Sequence, residues 1–208
     1  MYNYKTVFYT LGTLQIILGI FMLIPVIIQL IYNELDSGFV SASIITIIFG
    51  ILFFLSNLDH DKNIDLPQAF VLTALSWISI AIFGSLPFIF SELNLNFTDA
   101  FFESMSGITT TGSTILTDLD NAPKGILLWR AILQWLGGIG IILMAITLMP
   151  IMNIGGMQLF KISSSDNTEK ILPKSKEVSL RLIAIYFLLT LVCAIFYKLF
   201  GMSYFDSL

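Results

Sequence analysis

Residues 96–114 read NFTDAFFESMSGITTTGST, and this stretch decides the fold. Asn96 or Thr98 suits the N-cap of a helix, and Asp99 places an acid in the first turn, where the helix dipole favours it. Apolar residues then repeat at helical spacing: Phe97, Phe101, Phe102 and Met105. The predicted helix has about ten residues and is roughly 15 Å long. A helix of that length enters a hydrocarbon core of about 30 Å but does not cross it.

The segment that follows this half-helix is unsuited to continuing it. It reads GITTTGST from Gly107 to Thr114. Consecutive β-branched residues favour extended backbone, and glycine permits dihedral angles that are closed to other residues. Irregular backbone occurs at membrane depth only where it is buried in protein or lines a water-filled cavity. A half-helix followed by an extended segment is the plan of a selectivity filter, whose carbonyl oxygens replace the hydration shell of an ion.

The half-helix would point its negative C-terminal end at such a pathway, which favours a cation. The alternative interpretation is an extracellular loop that carries a surface helix. Two features of the sequence weaken this alternative. The half-helix is apolar on most faces, and the Thr-Gly segment lacks the charges of a solvated loop. The sequence therefore favours a cation pathway and leaves the identity of the ion open.

The rest of the chain has the composition of a membrane protein. Of its 208 residues, 56% are hydrophobic and 12% are charged, and the mean hydropathy is +0.89; soluble domains carry about a quarter charged residues. Apolar segments that could span a bilayer are predicted at Val7–Ile31, Phe39–Leu55, Ala69–Phe90, Ile126–Met149 and Val178–Phe200. The predicted fold class is therefore all-α and integral to the membrane, with the lipid bilayer as its surroundings.

The polar residues exclude other classes of function. The ten Lys and Arg residues form no basic stripe, which argues against nucleic-acid binding. His60 and Cys193 are the only residues of their types, so neither a zinc site nor a Cys/His catalytic pair can be assembled. No cluster of His, Asp and Glu lies in the predicted spans. We therefore do not expect an enzyme.

Lys and Arg are divided unevenly between the two sides of the predicted spans. One side has Lys5, Lys62, Lys161, Lys170, Lys174, Lys176 and Arg181, and the other has Lys124, Arg130 and Lys198. The positive-inside rule then places the N-terminus of this multi-pass chain in the cytoplasm. The polar connection 151–175 is interpreted as a solvated cytoplasmic loop that ends at Pro173, before the last helix. Docking of a soluble partner on this loop is the alternative.

The sequence also contains an internal repeat. Leu66-Pro67, a span and a capping stretch with Asp99 recur as Leu172-Pro173, a span and a stretch with Asp206, 107 positions after Asp99. The chain is thus predicted to comprise a transmembrane hairpin (1–65), a first helix–half-helix–helix unit (66–150), a cytoplasmic loop (151–175) and the truncated start of a second unit (176–208). One unit cannot surround a pore, so we expect an N-terminal part of a longer protein.

Three motifs, in order along the chain, carry a resemblance to a known family. They are FESMSGITTTGST (102–114), LWRAILQWLGGIG (128–140) and NIGGMQLF (153–160). Together they resemble the Trk/Ktr/HKT superfamily of potassium transporters, most closely the membrane subunit of bacterial Trk systems, over essentially the whole chain. The resemblance implies four helix–half-helix–helix units in a pseudo-fourfold, potassium-channel-like fold, preceded by an extra two-helix hairpin.

The resemblance also implies a binding site. The filter glycine of the family falls on Gly112, and Ser113 stands where many relatives carry alanine, a departure that leaves backbone coordination in place. The implied potassium ligands are the backbone carbonyls of Thr110, Thr111, Gly112 and Ser113, with Thr109 and Thr114 as flanks. Potassium is the implied transported ion, and no cofactor is implied.

The implied function is potassium uptake across the bacterial cytoplasmic (inner) membrane, by the membrane subunit of a Trk-type system. The resemblance also implies a homodimer of the full-length protein and a cytosolic nucleotide-binding regulatory subunit, for which loop 151–175 is a candidate contact. The alternative function is a secondary transporter of another cation that uses broken helices. Such a protein would usually carry ionisable residues inside its spans, and here they are scarce.

A few side chains outside the filter carry predictions of their own. We expect Glu103 to bond to nearby backbone or to pair with Arg130 rather than to charge the pore mouth. Trp129 is interpreted as an anchor at the membrane interface. Gly137, Gly138 and Gly140 are interpreted as a face for close packing of helices rather than as a hinge.

Overall fold

The computed structural model describes residues 4–34, 36–59, 64–152 and 171–207. Within these ranges all regular structure is helical: α1 (Lys5–Phe21), α2 (Leu23–Tyr32), α3 (Gly38–Ser56), α4 (Leu66–Gly84), α5 (Leu86–Phe90), α6 (Phe97–Ile108), a 3₁₀ turn (Leu119–Asn121), α7 (Lys124–Met152) and α8 (Ile171–Leu199). Stretches long and apolar enough to cross a membrane are Lys5–Tyr32, Gly38–Ser56, Pro67–Phe90, Lys124–Met144 and Glu177–Leu199. The predicted all-α membrane fold is confirmed.

Proline divides two of the predicted spans, each of which had been expected as one continuous helix. Pro25 has no N–H to donate to the carbonyl of Phe21, where α1 ends and α2 follows. Pro87 likewise has no N–H for the carbonyl of Phe83, and α4 gives way to α5 at Ser85. The Ser85 hydroxyl donates at 2.6 Å to a carbonyl one turn back. The first and third spans are therefore broken helices.

The helices α1 and α3 pack at very short distance through glycines. A Cβ atom placed on Gly12 would lie 2.7 Å from the carbonyl oxygen of Gly50, and one placed on Gly50 would lie 2.9 Å from that of Gly12. Further along, the Ser43 hydroxyl donates to the carbonyl of Gly19 at 2.7 Å. Small residues allow this close approach, which supplies dispersion contacts where apolar lipid gives no hydrophobic drive.

Trp129 on α7 lies at the centre of the core of residues 4–138. Its side chain is fully buried, its indole N–H donates to the carbonyl of Gly84 at 2.9 Å, and its ring meets that of Phe39 edge-on at 6.3 Å. A buried indole needs such a partner for its N–H. The prediction that Trp129 anchors the chain at the membrane interface is therefore wrong, and its real role is to join α3, α4 and α7.

Contacts divide the chain into two compact units, residues 1–138 and 139–208. In the second unit α8 begins at Ile171, earlier than the predicted end of the loop at 175. Pro173, which was predicted to end the loop before the last helix, lies within α8. The rest of the predicted loop, residues 153–170 with the NIGGMQLF motif, lies outside the described residues.

The predicted repeat appears in the hydrogen bonds of the two capping stretches, those with Asp99 and Asp206. The N–H of Asp99 donates to the Asn96 side chain at 2.9 Å, and the Asn96 amide donates back to the Asp99 carboxylate at 2.7 Å. In the second unit the N–H of Asp206 donates to the Ser203 hydroxyl at 3.1 Å, and this hydroxyl donates back at 2.6 Å. The same reciprocal cap therefore occurs at both positions.

Candidate ion-binding site

The half-helix α6 has twelve residues, and its N-cap is Asn96, one of the two residues predicted for this position. Its apolar stripe faces outward, since the side chains of Phe97 and Phe102 are 57% and 43% exposed. Its buried face carries polar residues instead, chiefly Glu103 and Ser106. Buried polar groups are costly unless they are hydrogen-bonded. These two find their partners in the loop that follows α6.

The first part of this loop folds back on the last turn of α6 through its N–H groups. Thr110 donates to the carbonyl of Gly107 (2.9 Å), and Thr111 and Gly112 both donate to that of Ser106 (3.0 and 3.3 Å). In a trans peptide unit the carbonyl points opposite to the N–H, and the described residues contain no cis peptide bond. The carbonyls of Thr109, Thr110 and Thr111 therefore point away from α6.

The backbone dihedrals explain how consecutive carbonyls come to share one side. Thr110 and Gly112 have φ angles of +59° and +76°, whereas the residues on either side of Thr110 do not have positive φ. An extended strand would turn successive peptide groups to opposite sides, whereas the positive φ angles of Thr110 and Gly112 let the N–H groups of residues 110–112 face α6 together. The predicted extended conformation is therefore wrong at Thr110 and Gly112. Gly112 adopts its dihedrals freely, while a β-branched residue such as Thr110 is strained there.

The second part of the loop is tied to the buried face of α6. The Ser106 hydroxyl donates to the carbonyl of Ser113 at 2.6 Å. One Glu103 oxygen accepts from the Thr114 hydroxyl and from the N–H of Ile115, both at 2.6 Å. The carbonyl of Ser113 is thus engaged on the α6 side. Within the described part of the chain no hydrogen bond reaches the carbonyls of Thr110 and Thr111.

The other Glu103 oxygen pairs with Arg130 of α7, whose Nε lies 2.9 Å away. The Glu103 side chain is fully buried and that of Arg130 is 14% exposed. The predicted pairing is confirmed, and the expected bonds to nearby backbone are present as well. Glu103 therefore links three parts of the site: the half-helix, the loop and α7.

A model of the TrkH family, described as cation transport protein, matches residues 36–204. The chain belongs to this family. It is 41% identical over 198 residues to the Trk system potassium uptake protein TrkI of Halomonas elongata, covering 95% of this chain and 40% of that protein. It is 37% identical over 212 residues to the Trk system potassium uptake protein TrkH of Escherichia coli K12, covering 99% of this chain and 44% of that protein.

Among solved structures, the potassium transporter TrkH from Vibrio parahaemolyticus matches with a TM-score of 0.87 at 33% sequence identity. The match covers 99% of this chain and 42% of that one. The fold of the TrkH family is therefore the fold of this chain, as the resemblance in the sequence implied. The chain spans about two-fifths of the length of the curated relatives it matches.

In this TrkH-family chain, α7 also supports the end of the half-helix. A Cβ atom on Gly137 would collide with the carbonyl oxygen of Ile108, and one on Gly107 would lie 3.0 Å from Cβ of Leu133. The prediction of close packing is confirmed for Gly137. For Gly140 it stays a prediction, since no atom of the described residues lies within 4 Å of the position its Cβ would take.

Sequence reasoning missed Ser106 and the supporting role of Thr114, which it had placed beside the filter. Ser106 and Thr114 contribute hydroxyl groups, and neither residue type is diagnostic alone. A usable signal was present in the spacing of Glu103, Ser106 and Gly107. These polar or small residues fall on one face of α6, opposite the phenylalanines, which is where a partner for the half-helix would have to pack.

Proposed function

We propose that this chain supplies one filter segment of a potassium uptake protein in the bacterial cytoplasmic membrane, the membrane subunit of a Trk-type system. The observation that carries the proposal is the set of consecutive carbonyls, from Thr109 to Thr111, turned away from α6 beyond its C-terminal end. Carbonyl oxygens are the ligands with which potassium filters replace water. The negative end of α6 adds a field that favours a cation.

The relatives' printed names support potassium as the ion, because they are potassium uptake proteins. We assign the ligands of this segment to the carbonyls of Thr110, Thr111 and Gly112, with Thr109 beside them. Ser113 takes a lesser place, since its carbonyl already accepts the Ser106 hydroxyl. Thr114 acts through its side chain as a support. The remaining ligands would come from further units of the full-length protein, because one segment cannot encircle an ion.

The test is a pair of substitutions in the full-length protein. Gly112→Ser should weaken the preference for potassium over sodium, because a side chain restricts the left-handed backbone at φ +76°. Thr109→Ser should have a smaller effect, since it removes one methyl group and keeps both the carbonyl and the hydroxyl. Uptake of both ions is measured in cells without other potassium systems. An unchanged preference in Gly112→Ser would remove Gly112 from the filter.

The proposed orientation has the N-terminus in the cytoplasm and the segment 91–125 facing outside. The distribution of Lys and Arg supports it. In the full-length protein with Cys193→Ser, a cysteine introduced at the exposed Thr117 should react with an impermeant maleimide added to intact cells. Reaction only after the cytoplasmic side is opened would reverse the orientation.

We also propose the partners that the family resemblance implies. These are a second copy of the full-length protein and a cytosolic nucleotide-binding regulatory subunit that contacts loop 151–175. Removing residues 163–167 from the full-length protein should weaken capture of the regulatory subunit by tagged membrane subunit. Equal capture with and without these residues would exclude them from the contact.

A further inference from the structure

We infer that Glu103 and Arg130 are positioning residues of the filter. They hold Thr114 and Ile115, which follow the filter, against α6, and their opposite charges leave no net charge behind the filter. This inference rests on the proposed function, since it concerns the same loop. It adds two residues that bind no ion themselves. Their effect reaches the ion through Thr114 and Ile115.

An ion pair and two hydrogen bonds form a continuous path from α7 to the loop. Arg130 contacts one oxygen of Glu103, and the other oxygen accepts from Thr114 and Ile115. The Thr114 hydroxyl in turn accepts from the N–H of Leu116 at 3.0 Å. Bonds to an ionised carboxylate are shorter and stronger than neutral ones, which suits the 2.6 Å distances. The segment after the filter is thereby held to α6.

The filter carbonyls depend on how both ends of the loop are fixed. At the start, backbone N–H groups hold Thr110 to Gly112 against the last turn of α6. At the finish, the side chains of Ser106 and Glu103 hold residues 113–115. The carbonyls between these two attachments have no hydrogen bonds of their own in the described residues. A shift of the Glu103 attachment would therefore move the ligands directly.

The opposite charges of Glu103 and Arg130 give the pair a second role, which is to neutralise each other beside the loop. Both side chains are largely or fully buried, so removing one partner leaves the other as an uncompensated charge. Glu103→Gln keeps an acceptor oxygen and the side-chain length but leaves the Arg130 cation behind the loop. An unpaired cation there would repel an approaching cation. The double substitution Glu103→Gln with Arg130→Gln restores neutrality and keeps polar groups at both positions.

The experiment measures maximal rate, half-saturating potassium concentration and potassium-over-sodium preference for the full-length protein in cells lacking other potassium systems. Immunoblots of the membrane fraction normalise every rate. Glu103→Gln should lower the maximal rate at least about tenfold and weaken the preference, because it leaves a buried charge unpaired. The double variant should regain most of the lost rate. A purely structural pair would instead give a double variant no better than the single one.

A second comparison decides the matter if Glu103 variants do not accumulate in the membrane. Thr114→Val removes the hydroxyl that Glu103 holds but changes no charge, and it should weaken the ion preference. Thr114→Ser keeps the hydroxyl and should retain the wild-type ion preference. Thr117→Val, in the exposed part of the same loop, is the matched control. Wild-type preference in Thr114→Val would overturn the inference, as would wild-type rate and preference in Glu103→Gln at a normal membrane level.

Failure of the inference can be told apart from failure of the proposed function. If Gly112→Ser alters the ion preference while the Glu103 and Thr114 variants do not, the proposed filter is retained and the positioning role of Glu103 and Arg130 is rejected. If Gly112→Ser has no effect and the wild-type protein shows no potassium preference, the proposed function itself falls and the inference with it.

Discussion

The hairpin of α1 and α3 and the loop after α6 are held together by different kinds of contact. In the hairpin, two glycines bring the helices so close that a Cβ on either would lie 2.7–2.9 Å from the other's carbonyl oxygen. In the loop, the side chains of Glu103 and Ser106 bind backbone and hydroxyl groups directly. One region depends on shape and the other on polar bonds.

This difference follows from the backbone of each region. A helix satisfies its own N–H and carbonyl groups, so two helices in a membrane need only complementary surfaces. The loop after α6 has no ladder of its own, and each of its backbone groups needs a partner from elsewhere. Substitutions in the hairpin should therefore lower stability without altering ion preference. Substitutions at the loop should alter ion preference.

The largest effect on stability is expected from Gly12→Ala in the full-length protein. The new Cβ would lie 2.6 Å from the N atom of Phe54 and 2.7 Å from the carbonyl oxygen of Gly50, and neither backbone atom can rotate away. The helices must separate, which should lower the free energy of unfolding by about 1–3 kcal/mol. Thermal unfolding of the purified protein in detergent measures this.

The control for Gly12→Ala is Ile17→Ala on the same helix. Ile17 is 43% exposed, and its substitution by alanine removes atoms without adding any that could collide with backbone. Its effect on unfolding should be smaller. Protein carrying Gly12→Ala that still reaches the membrane should keep the wild-type potassium-over-sodium preference. An altered preference would show that the hairpin shapes the filter and would break the contrast between the two regions.

An effect on stability of about the same size is expected from Trp129→Phe, at the junction of the two regions. The substitution keeps an aromatic ring beside Phe39 but removes the donor to the carbonyl of Gly84. A buried carbonyl left without its partner costs about 1–3 kcal/mol, and the smaller ring adds a cavity. The unfolding temperature should fall, with ion preference retained. Unchanged unfolding would mean that the indole hydrogen bond contributes nothing to joining α4 and α7.

The smallest effect on stability, and the sharpest comparison, comes from two serines with the same chemistry. Ser43 donates to the carbonyl of Gly19 at 2.7 Å in the hairpin, and Ser106 donates to that of Ser113 at 2.6 Å in the loop. Substitution by alanine should cost about 1 kcal/mol at either position. Only Ser106→Ala should change the potassium-over-sodium preference. Equal preference in both variants would contradict the division between shape and polar support.

Features that depend on nearby residues were predictable from the sequence. The length of the apolar runs indicated the spans, and the N-cap of α6 was narrowed to Asn96 or Thr98 because capping is decided within four residues. The breaks at Pro25 and Pro87 had an equally local cause. They were missed because hydropathy averages over a window and does not register a single missing N–H donor.

Features set by the way a segment folds against its neighbours were not predictable in the same way. The threonines favour extended backbone, but the carbonyls of Gly107 and Ser106 accept the N–H groups of residues 110–112, and Thr110 and Gly112 take positive φ angles. The orientation of α6 was missed for another reason. A phenylalanine stripe normally indicates a buried face, but in a membrane the exterior is apolar too, so polar residues such as Glu103 can occupy the packed side.

The Glu103–Arg130 pair has a consequence for how the protein is made. Its two members are separated by 27 positions along the chain, and a ribosome takes roughly one to five seconds to add that many residues. During this interval the half-helix carries a carboxylate for which lipid offers no partner. Burial of the half-helix becomes less costly once α7 has emerged, because Arg130 then neutralises the carboxylate. We therefore expect the half-helix and α7 to become buried in the membrane together.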